Sequence, residues 1–429
     1  MKFQLKMEKL AEFVSQHMSE DTARLIMNRS RWPEIDMDMA VNSIESRRKL
    51  RGKVQQWYDE PRLVFPLKLS AEQCSSSSTG LYKAGVAAHI AGKESWKIAD
   101  LTGGLGVDSW FFSQKAANVL YNEMQEPLCR AAKHNFEVLG ARNIEISNHA
   151  IGNDDGRNDT GKDLFISPTA LLKDFRPDII YMDPARRGEG GKKVFLIEEC
   201  TPAVLTLKAE LFGICRHILI KLSPMADITM VCSRLGSTCR EVHVVASGGE
   251  CKELLIWMDK EWSEGYTINA VELRNDGTSC EFRFTPSEEK TAPLTMLGKN
   301  DNLSSEFFLF EPGKALMKAG AFNTVCRSFG LIKLGISTHY YVTADQSKAE
   351  ELKKFGKVFR IIRCEPLDKR SIKAAGKEFP RSEVTARNIP MDTDTLRKKT
   401  GVTSGDDAHI FGLKSDLQGN LLIAAKRII

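Results

Sequence analysis

Between residues 96 and about 260 the chain alternates short apolar runs with helical segments, and few architectures accommodate that rhythm. The runs are KIADL (97–101), NVLYNEM (118–124), NIEIS (143–147), DIIYMD (178–183), HILIKL (217–222), EVHVVAS (241–247) and ELLIWMD (253–259). Helical patterns such as PLCRAAKHNFEVLG separate the early ones. Strands joined through helices pair mostly in parallel, with helices covering both faces of the sheet. The last two runs are close enough to form a hairpin, which predicts an antiparallel strand at one edge. The expected fold class is therefore α/β, with a Rossmann-like seven-stranded sheet.

The flanks read differently. Residues 1–92 show helical periodicity, with Asp21 and Asp36 where helix N-caps are expected. A serine-rich stretch, LSAEQCSSSSTGLYKAG, leads back into helical spacing rather than into a linker. The sheet domain is assigned to 93–262. Beyond it, TINAVELR and CEFRFTP straddle the turn NDG, a hairpin signal, and a small α+β region follows. Residues 311–429 hold 22 Lys/Arg against 13 Asp/Glu, a net of +9; the whole chain carries +5, so the first 310 residues sum to −4. A basic unit on a slightly acidic body points to a polyanion, most often nucleic acid, with a solvated basic surface as the alternative.

Composition closes off other classes. A length of 429 residues predicts two or three domains, and 42% hydrophobic with 27% charged residues is a folded composition. No apolar run approaches the roughly 18 residues of a membrane span, and MKFQLKMEKLAEF reads as an amphipathic helix, not a signal peptide. The ten cysteines include no CxxC pair. They read as reduced thiols of a cytoplasmic protein, with no metal site implied.

The first run leads into DLTGGLGVDSWFF, placing Asp100, Thr102, Gly103, Gly104, Gly106 and Asp108 at a strand-to-helix turn. Glycines there allow a tight turn and close backbone approach to a ligand, and the next helix offers N–H donors. The GGxG spacing is not the GxGxxG of dinucleotide folds, which disfavours a nucleotide-dependent oxidoreductase. Glu123 ends the second run, where such folds bind ribose hydroxyls, and Asn135 lies on the helix behind it. The fourth run ends in Asp183-Pro184-Ala185-Arg186, on the sheet edge beside the glycine loop, where open α/β sheets bind ligands.

Together, DLTGGLGVD, NEM and AAKHNFEVLG resemble motif I and its sequel in class I S-adenosylmethionine-dependent methyltransferases. The wider pattern is similar to a bacterial family of such proteins with a THUMP-like domain at the C-terminus. It comprises EQCSSxxT…YKA (Glu72 to Ala84), DPARR, KLSPMxD (Lys221 to Asp227), ECKELL (Glu250 to Leu255), EPGKALMKAGAF (Glu311 to Phe322) and RNIP (Arg387 to Pro390). These segments cover essentially the whole chain. SSSST departs from the usual serine-serine-acid run, and Ala150 stands where methyltransferases often place an Asp.

The resemblance implies a class I methyltransferase sheet, a ferredoxin-like subdomain over 263–322 and a THUMP-like domain over 323–429. It implies S-adenosylmethionine as cofactor, held by Asp100, Thr102, Gly103, Gly104, Gly106, Asp108 and Glu123, with the Ala150 backbone at the adenine. Ser76 and Thr79 belong to a segment that folds over the methionine end. Asp183, Pro184 and Arg186 are the implied catalytic residues. In amino methyltransferases this tetrapeptide is (Asp/Asn)-Pro-Pro-(Tyr/Phe), whose polar groups accept hydrogen bonds from the target amine. Here Arg186 replaces the aromatic; a guanidinium stacks on a base or clamps a phosphate. Lys221, Ser223 and Asp227 read either as substrate contacts or as a structural lysine–aspartate pair. His339 and Tyr340 read either as RNA contacts or as core aromatics, and Cys74 has no neighbouring His to activate it. The implied partner is RNA, tRNA or rRNA, gripped by the basic C-terminal region. A protein or small-molecule methyltransferase, and a non-catalytic RNA-binding protein that keeps the cofactor fold, are the alternatives.

Overall fold

The computed structural model describes residues 2–152, 165–186, 196–274 and 276–428. Two compact units divide the chain: Met1–Val242 with Glu253–Tyr266, and His243–Lys252 with Thr267–Ile429.

The first unit begins with helices α1 (Lys2–Gln16), α2 (Thr22–Met27) and α3 (Met37–Leu50). Asp21 and Asp36 are N-caps as expected, accepting from the N–H groups of Ala23 at 2.9 Å and Met39 at 3.1 Å. The helices bury Leu10, Val14, Leu25, Ala40 and Ile44 together with Val64 and Ala131. Buried Arg47 donates to the carbonyls of Tyr58, Glu60, Pro61 and Leu63 at 2.8–3.0 Å, folding that loop around one guanidinium. Helix α4 (Ser77–Ala91) follows a short turn of helix over Lys68–Gln73.

The sheet contains β1 (Lys97–Asp100), β2 (Asn118–Asn122), β3 (Ile144–Ser147), β4 (Ile179–Met182), β5 (His217–Leu222), β6 (Cys239–Ser247) and β7 (Glu250–Asp259). The seven runs are all strands, and the order β5-β4-β1-β2-β3 is parallel throughout. β7 runs antiparallel to β5, and β6 and β7 turn at Gly248–Gly249. Helices α5 (Val107–Ser113) and α6 (Glu126–Val138) join β1 to β2 and β2 to β3, and α7 (Ile228–Leu235) follows β5. β4 buries all four of its residues, so it reads as an unbroken apolar run rather than an alternating one.

In the second unit β8 (Thr267–Leu273) and β9 (Ser279–Phe284) form the expected hairpin, with Leu273 opposite Ser279. An eight-stranded sheet follows. Its longer strands are β10 (Phe308–Pro312), β11 (Tyr341–Thr343), β12 (Gly356–Pro366), β13 (Arg381–Arg387), β14 (Thr403–Ser415) and β15 (Gly419–Arg427), in the order β11-β10-β12-β15-β14-β13. Its core is formed by Leu309, Tyr340, Val342, Phe359, Phe411 and Ile423. Helices α8 (Lys369–Glu378) and α9 (Thr393–Thr400) touch where Gly376 meets Thr400: a Cβ on Gly376 would stand 1.9 Å from the Thr400 carbonyl oxygen. Among the described residues no helix is long and apolar enough to cross a membrane.

Candidate functional site

β1 ends at Asp100, whose buried carboxylate accepts from the Thr102 N–H at 3.1 Å and the Ser109 hydroxyl at 2.6 Å. Burial pushes this carboxyl up to about 7, with the nearby charges of Asp108 and Asp183 adding to the rise. The glycine loop after Thr102 lies on aromatic rings. A Cβ on Gly103 would stand 2.2 Å from the Tyr121 ring, and one on Gly106, at φ +91°, would stand 2.7 Å from Phe136. Tyr121 also donates its hydroxyl to the Gly104 carbonyl at 2.6 Å. On the other side the loop is bare: a Cβ on Gly104 would meet nothing nearer than the Thr102 carbonyl at 3.9 Å. Glu123, buried at the end of β2, accepts from the N–H groups of Gly104 at 2.9 Å and Gln125 at 2.8 Å.

The Asp-Pro-Ala-Arg stretch meets this loop because β4 pairs with β1, Tyr181 opposite Asp100. The Asp183 N–H donates to Thr102 Oγ1 at 2.6 Å. Asp183 is 39% exposed in its side chain, and its Oδ2 accepts from Lys221, whose side chain is 12% exposed. Pro184 is buried, and the backbone of Ala185–Arg186 pairs with Cys200–Thr201. The Arg186 side chain and residues 187–195, including the GEGG run, lie outside the described residues.

Behind Asp183 the charges continue inward. Lys83, fully buried on α4, places its ammonium 2.8 and 2.9 Å from the Glu253 oxygens, 2.9 Å from the Ser75 hydroxyl and 3.4 Å from Asp108 Oδ1. Asp108 Oδ2 accepts from the Tyr181 hydroxyl at 2.8 Å. Burial disfavours the charged forms of Asp108, Glu253 and Lys221, and the surrounding charges offset it to different extents. Lys83 and Lys221 hold Asp108 below the usual carboxylate range, whereas burial wins at Glu253 and raises it. Burial pulls Lys221 down, but Asp183, Asp108 and Glu253 outweigh it and hold its ammonium well above the ordinary lysine value. The YKA, KLSP, ECKELL and DPAR segments thus meet in one alternating chain of charge. Lys83 and Glu253 were not singled out by sequence reasoning; the signal for them is an ionisable residue embedded in an apolar helix or strand pattern.

Other predicted residues have structural partners. Ser76 and Thr79 form a reciprocal capping box at the start of α4, with Thr79 N–H to Ser76 Oγ at 3.3 Å and Ser76 N–H to Thr79 Oγ1 at 3.0 Å. Ser75, one residue earlier, is the serine that reaches the charge chain. The Cys74 thiol is pushed up by burial, with Lys53 and Lys221 opposing, which leaves it a poor nucleophile. Asn135 ties α6 to the distant loop before Lys68 through paired 2.9 Å bonds with the Val64 backbone. Ala150 is buried and pairs with Phe165, and the turn before it is set by Asn122, which exchanges bonds of 3.2 and 3.0 Å with the His149 backbone. Asp227 caps α7 through the Met230 N–H at 2.7 Å, so the lysine–aspartate pair of this region is Lys221 with Asp183. A cavity of about 330 Å³ lined by Met7, Leu10, Ile35 and Met39 contains none of these residues.

In the second unit Tyr340 is a core residue whose hydroxyl donates to Glu311 at 2.8 Å. His339, at φ +54°, stacks on Phe322 with centroids 3.8 Å apart; burial and the charges of Lys333 and Arg387 bring it down to about 4. Lys369, Arg370, Lys373 and Lys377 on α8, with Lys398 and Lys399 on α9, are exposed.

Comparison with known proteins gives this geometry a context. Residues 308–349 match a ferredoxin-like domain and residues 356–427 a THUMP domain-like model. A candidate methyltransferase of solved structure from Porphyromonas gingivalis W83 is 28% identical, covers 99% of this chain and 98% of its own, and superposes with a TM-score of 0.82. A candidate class I S-adenosylmethionine-dependent methyltransferase from Listeria monocytogenes covers 59% of this chain and 88% of its own at 11% identity, with a TM-score of only 0.33. No curated protein sequence matches the chain.

Proposed function

We propose that this chain, with ferredoxin-like and THUMP-like domains following a methyltransferase fold in sequence, is an S-adenosylmethionine-dependent methyltransferase that acts on RNA. The observation that carries the reading is Asp183, held against the glycine loop through Thr102 while its carboxylate remains 39% exposed at the sheet edge. Bound S-adenosylmethionine supplies an electrophilic methyl group, and the chain must then align a nucleophile with it. The bare side of the glycine loop at Gly104 fits such a ligand. Asp100, Thr102, Gly103, Gly104, Gly106 and Asp108 form its cradle in this reading. Each Glu123 oxygen accepts one backbone N–H and keeps a lone pair for ribose hydroxyls. Ser76, Thr79 and Ala150 complete the pocket, with Ser76 and Thr79 acting by fixing the start of α4. Asp183 accepts a hydrogen bond from the acceptor, which must therefore present an N–H or O–H, and a base nitrogen suits that requirement. Arg186 contacts the base or its phosphate. The exposed lysines and arginine of α8 and α9 meet the phosphate backbone.

Titration calorimetry and methyl-transfer assays test this directly. Wild-type protein should bind S-adenosylmethionine and Gly104→Arg should not. RNA from a strain lacking the gene should accept labelled methyl groups from the wild-type protein. No binding heat sinks the methyltransferase reading, and label in protein or small molecules in place of RNA moves the acceptor to those classes.

A further inference from the structure

We propose that Lys221 is a positioning residue of this site, fixing one oxygen of Asp183 so that the other is presented to the methyl acceptor; the proposal rests on the methyltransferase reading. The geometry is asymmetric. The Lys221 ammonium takes Oδ2, and among the described residues Oδ1 accepts no hydrogen bond. A carboxylate fixed only by its own backbone rotates about its terminal torsion, which is broad and nearly two-fold. A single anchor on one oxygen removes that freedom without using the lone pairs the acceptor needs.

The setting of Lys221 restricts it to this role. It stands one residue beyond Ile220, which pairs with Met182 across β5 and β4, so strand register carries it to the Asp183 position. Asp108 and Glu253 lie on its inner side and, with Asp183, keep the ammonium charged. A lysine held as a cation is a donor and does not take a proton from the acceptor. Lys83 neutralises Glu253 from the far side and approaches Asp108, so the inner acids are not left to compete freely for Lys221. The outcome is a fixed order of charges in which the outermost group is the half-exposed carboxylate.

The test compares Lys221→Met, Lys221→Arg and Lys221→Ala in single-turnover methyl transfer, with S-adenosylmethionine affinity measured by calorimetry on the same samples. Lys221→Met should transfer at least 100-fold more slowly while binding the cofactor within two-fold of wild type. Lys221→Arg, which keeps a cation, should recover at least ten-fold of that loss, and ethylammonium should partly restore Lys221→Ala. A purely structural lysine predicts no rescue by added amine. The proposal is overturned if Lys221→Met keeps wild-type transfer, or if arginine and ethylammonium both fail to restore it. If the wild-type protein itself binds no S-adenosylmethionine, the methyltransferase reading fails and this role falls with it; normal wild-type transfer with an unaffected Lys221→Met overturns only the role of Lys221.

Discussion

The ammonium of Lys83 and the carboxylate of Glu253, 170 residues apart in sequence, meet at 2.8 and 2.9 Å with both side chains buried. A buried pair of this kind adds little over an apolar pair of the same shape, but breaking it strands an ion in low dielectric. Lys83→Met should therefore lower the stability of the first unit by about 3–5 kcal/mol. The double variant Lys83→Met/Glu253→Gln should recover a substantial part of that. All six tryptophans lie in the first unit, from Trp32 to Trp262, so urea unfolding followed by tryptophan fluorescence reports on it selectively. A neutral Lys83→Met would show that the pair does not hold this layer together.

The glycine loop makes a second prediction through Tyr121. Because a Cβ at Gly103 would fall 2.2 Å from the Tyr121 ring, Gly103→Ala overpacks the floor of the loop and should cost about 1–3 kcal/mol. Combining it with Tyr121→Leu should give a loss smaller than the sum of the two single losses, since the clash is removed. Strictly additive losses in thermal unfolding would mean that the ring does not set the requirement for glycine.

Much of this arrangement was legible in the sequence, and the reasons differ by element. The seven strands were readable because a parallel sheet covered on both faces demands continuous apolar runs. Asp21 and Asp36 were readable as caps because capping is local. The partner of Lys221 was not, because Asp227 is near in sequence and Asp183 is near only through the β4–β5 register. Lys83 and Glu253 each stand out as an ionisable residue in an apolar pattern, but their pairing across 170 residues is set only by the fold. The resemblance groups Ser76 and Thr79 with the cofactor contacts, and their spacing also encodes the capping box they form. Asn135, grouped with the cofactor pattern, serves a backbone loop that no periodicity announces.

Buried Asp100 and half-buried His409 have opposite pH-dependent effects on stability. Asp100 rises from 3.8 to about 7 on folding, so the native state holds its proton more tightly. Its contribution is complete below pH 3.8 and is lost as pH climbs toward 7, by at most about 1.4 kcal/mol per pH unit. His409, stacked on Phe411 and bonded to Thr385, falls from 6.5 to about 4 because burial disfavours its cation. Its contribution is complete above pH 6.5 and is lost as pH drops toward 4. Unfolding free energies across pH 4–7 should show the advantage of wild type over Asp100→Asn shrinking as pH rises. The advantage over His409→Gln should grow over the same range, followed by far-UV circular dichroism because the second unit contains no tryptophan. Parallel trends in the two comparisons would contradict the assignment.

The contact between Gly376 and Thr400 brings the exposed Lys373 and Lys377 of α8 and Lys398 and Lys399 of α9 onto neighbouring helices. If these lysines meet RNA phosphates as proposed, binding should weaken with salt through counterion release. The slope of log K against log salt should fall by roughly 0.7 for each single-strand phosphate contact removed. Replacing all four by glutamine should thus flatten the slope by up to about 3 if every lysine engages a phosphate. The same change at the exposed Lys115 and Lys133 of the first unit should leave it nearly unaltered. Filter binding of RNA from the gene-deleted strain between 50 and 200 mM salt, about the range over which such contacts dominate, measures both slopes. An unchanged slope in the four-lysine variant would remove α8 and α9 from the RNA interface.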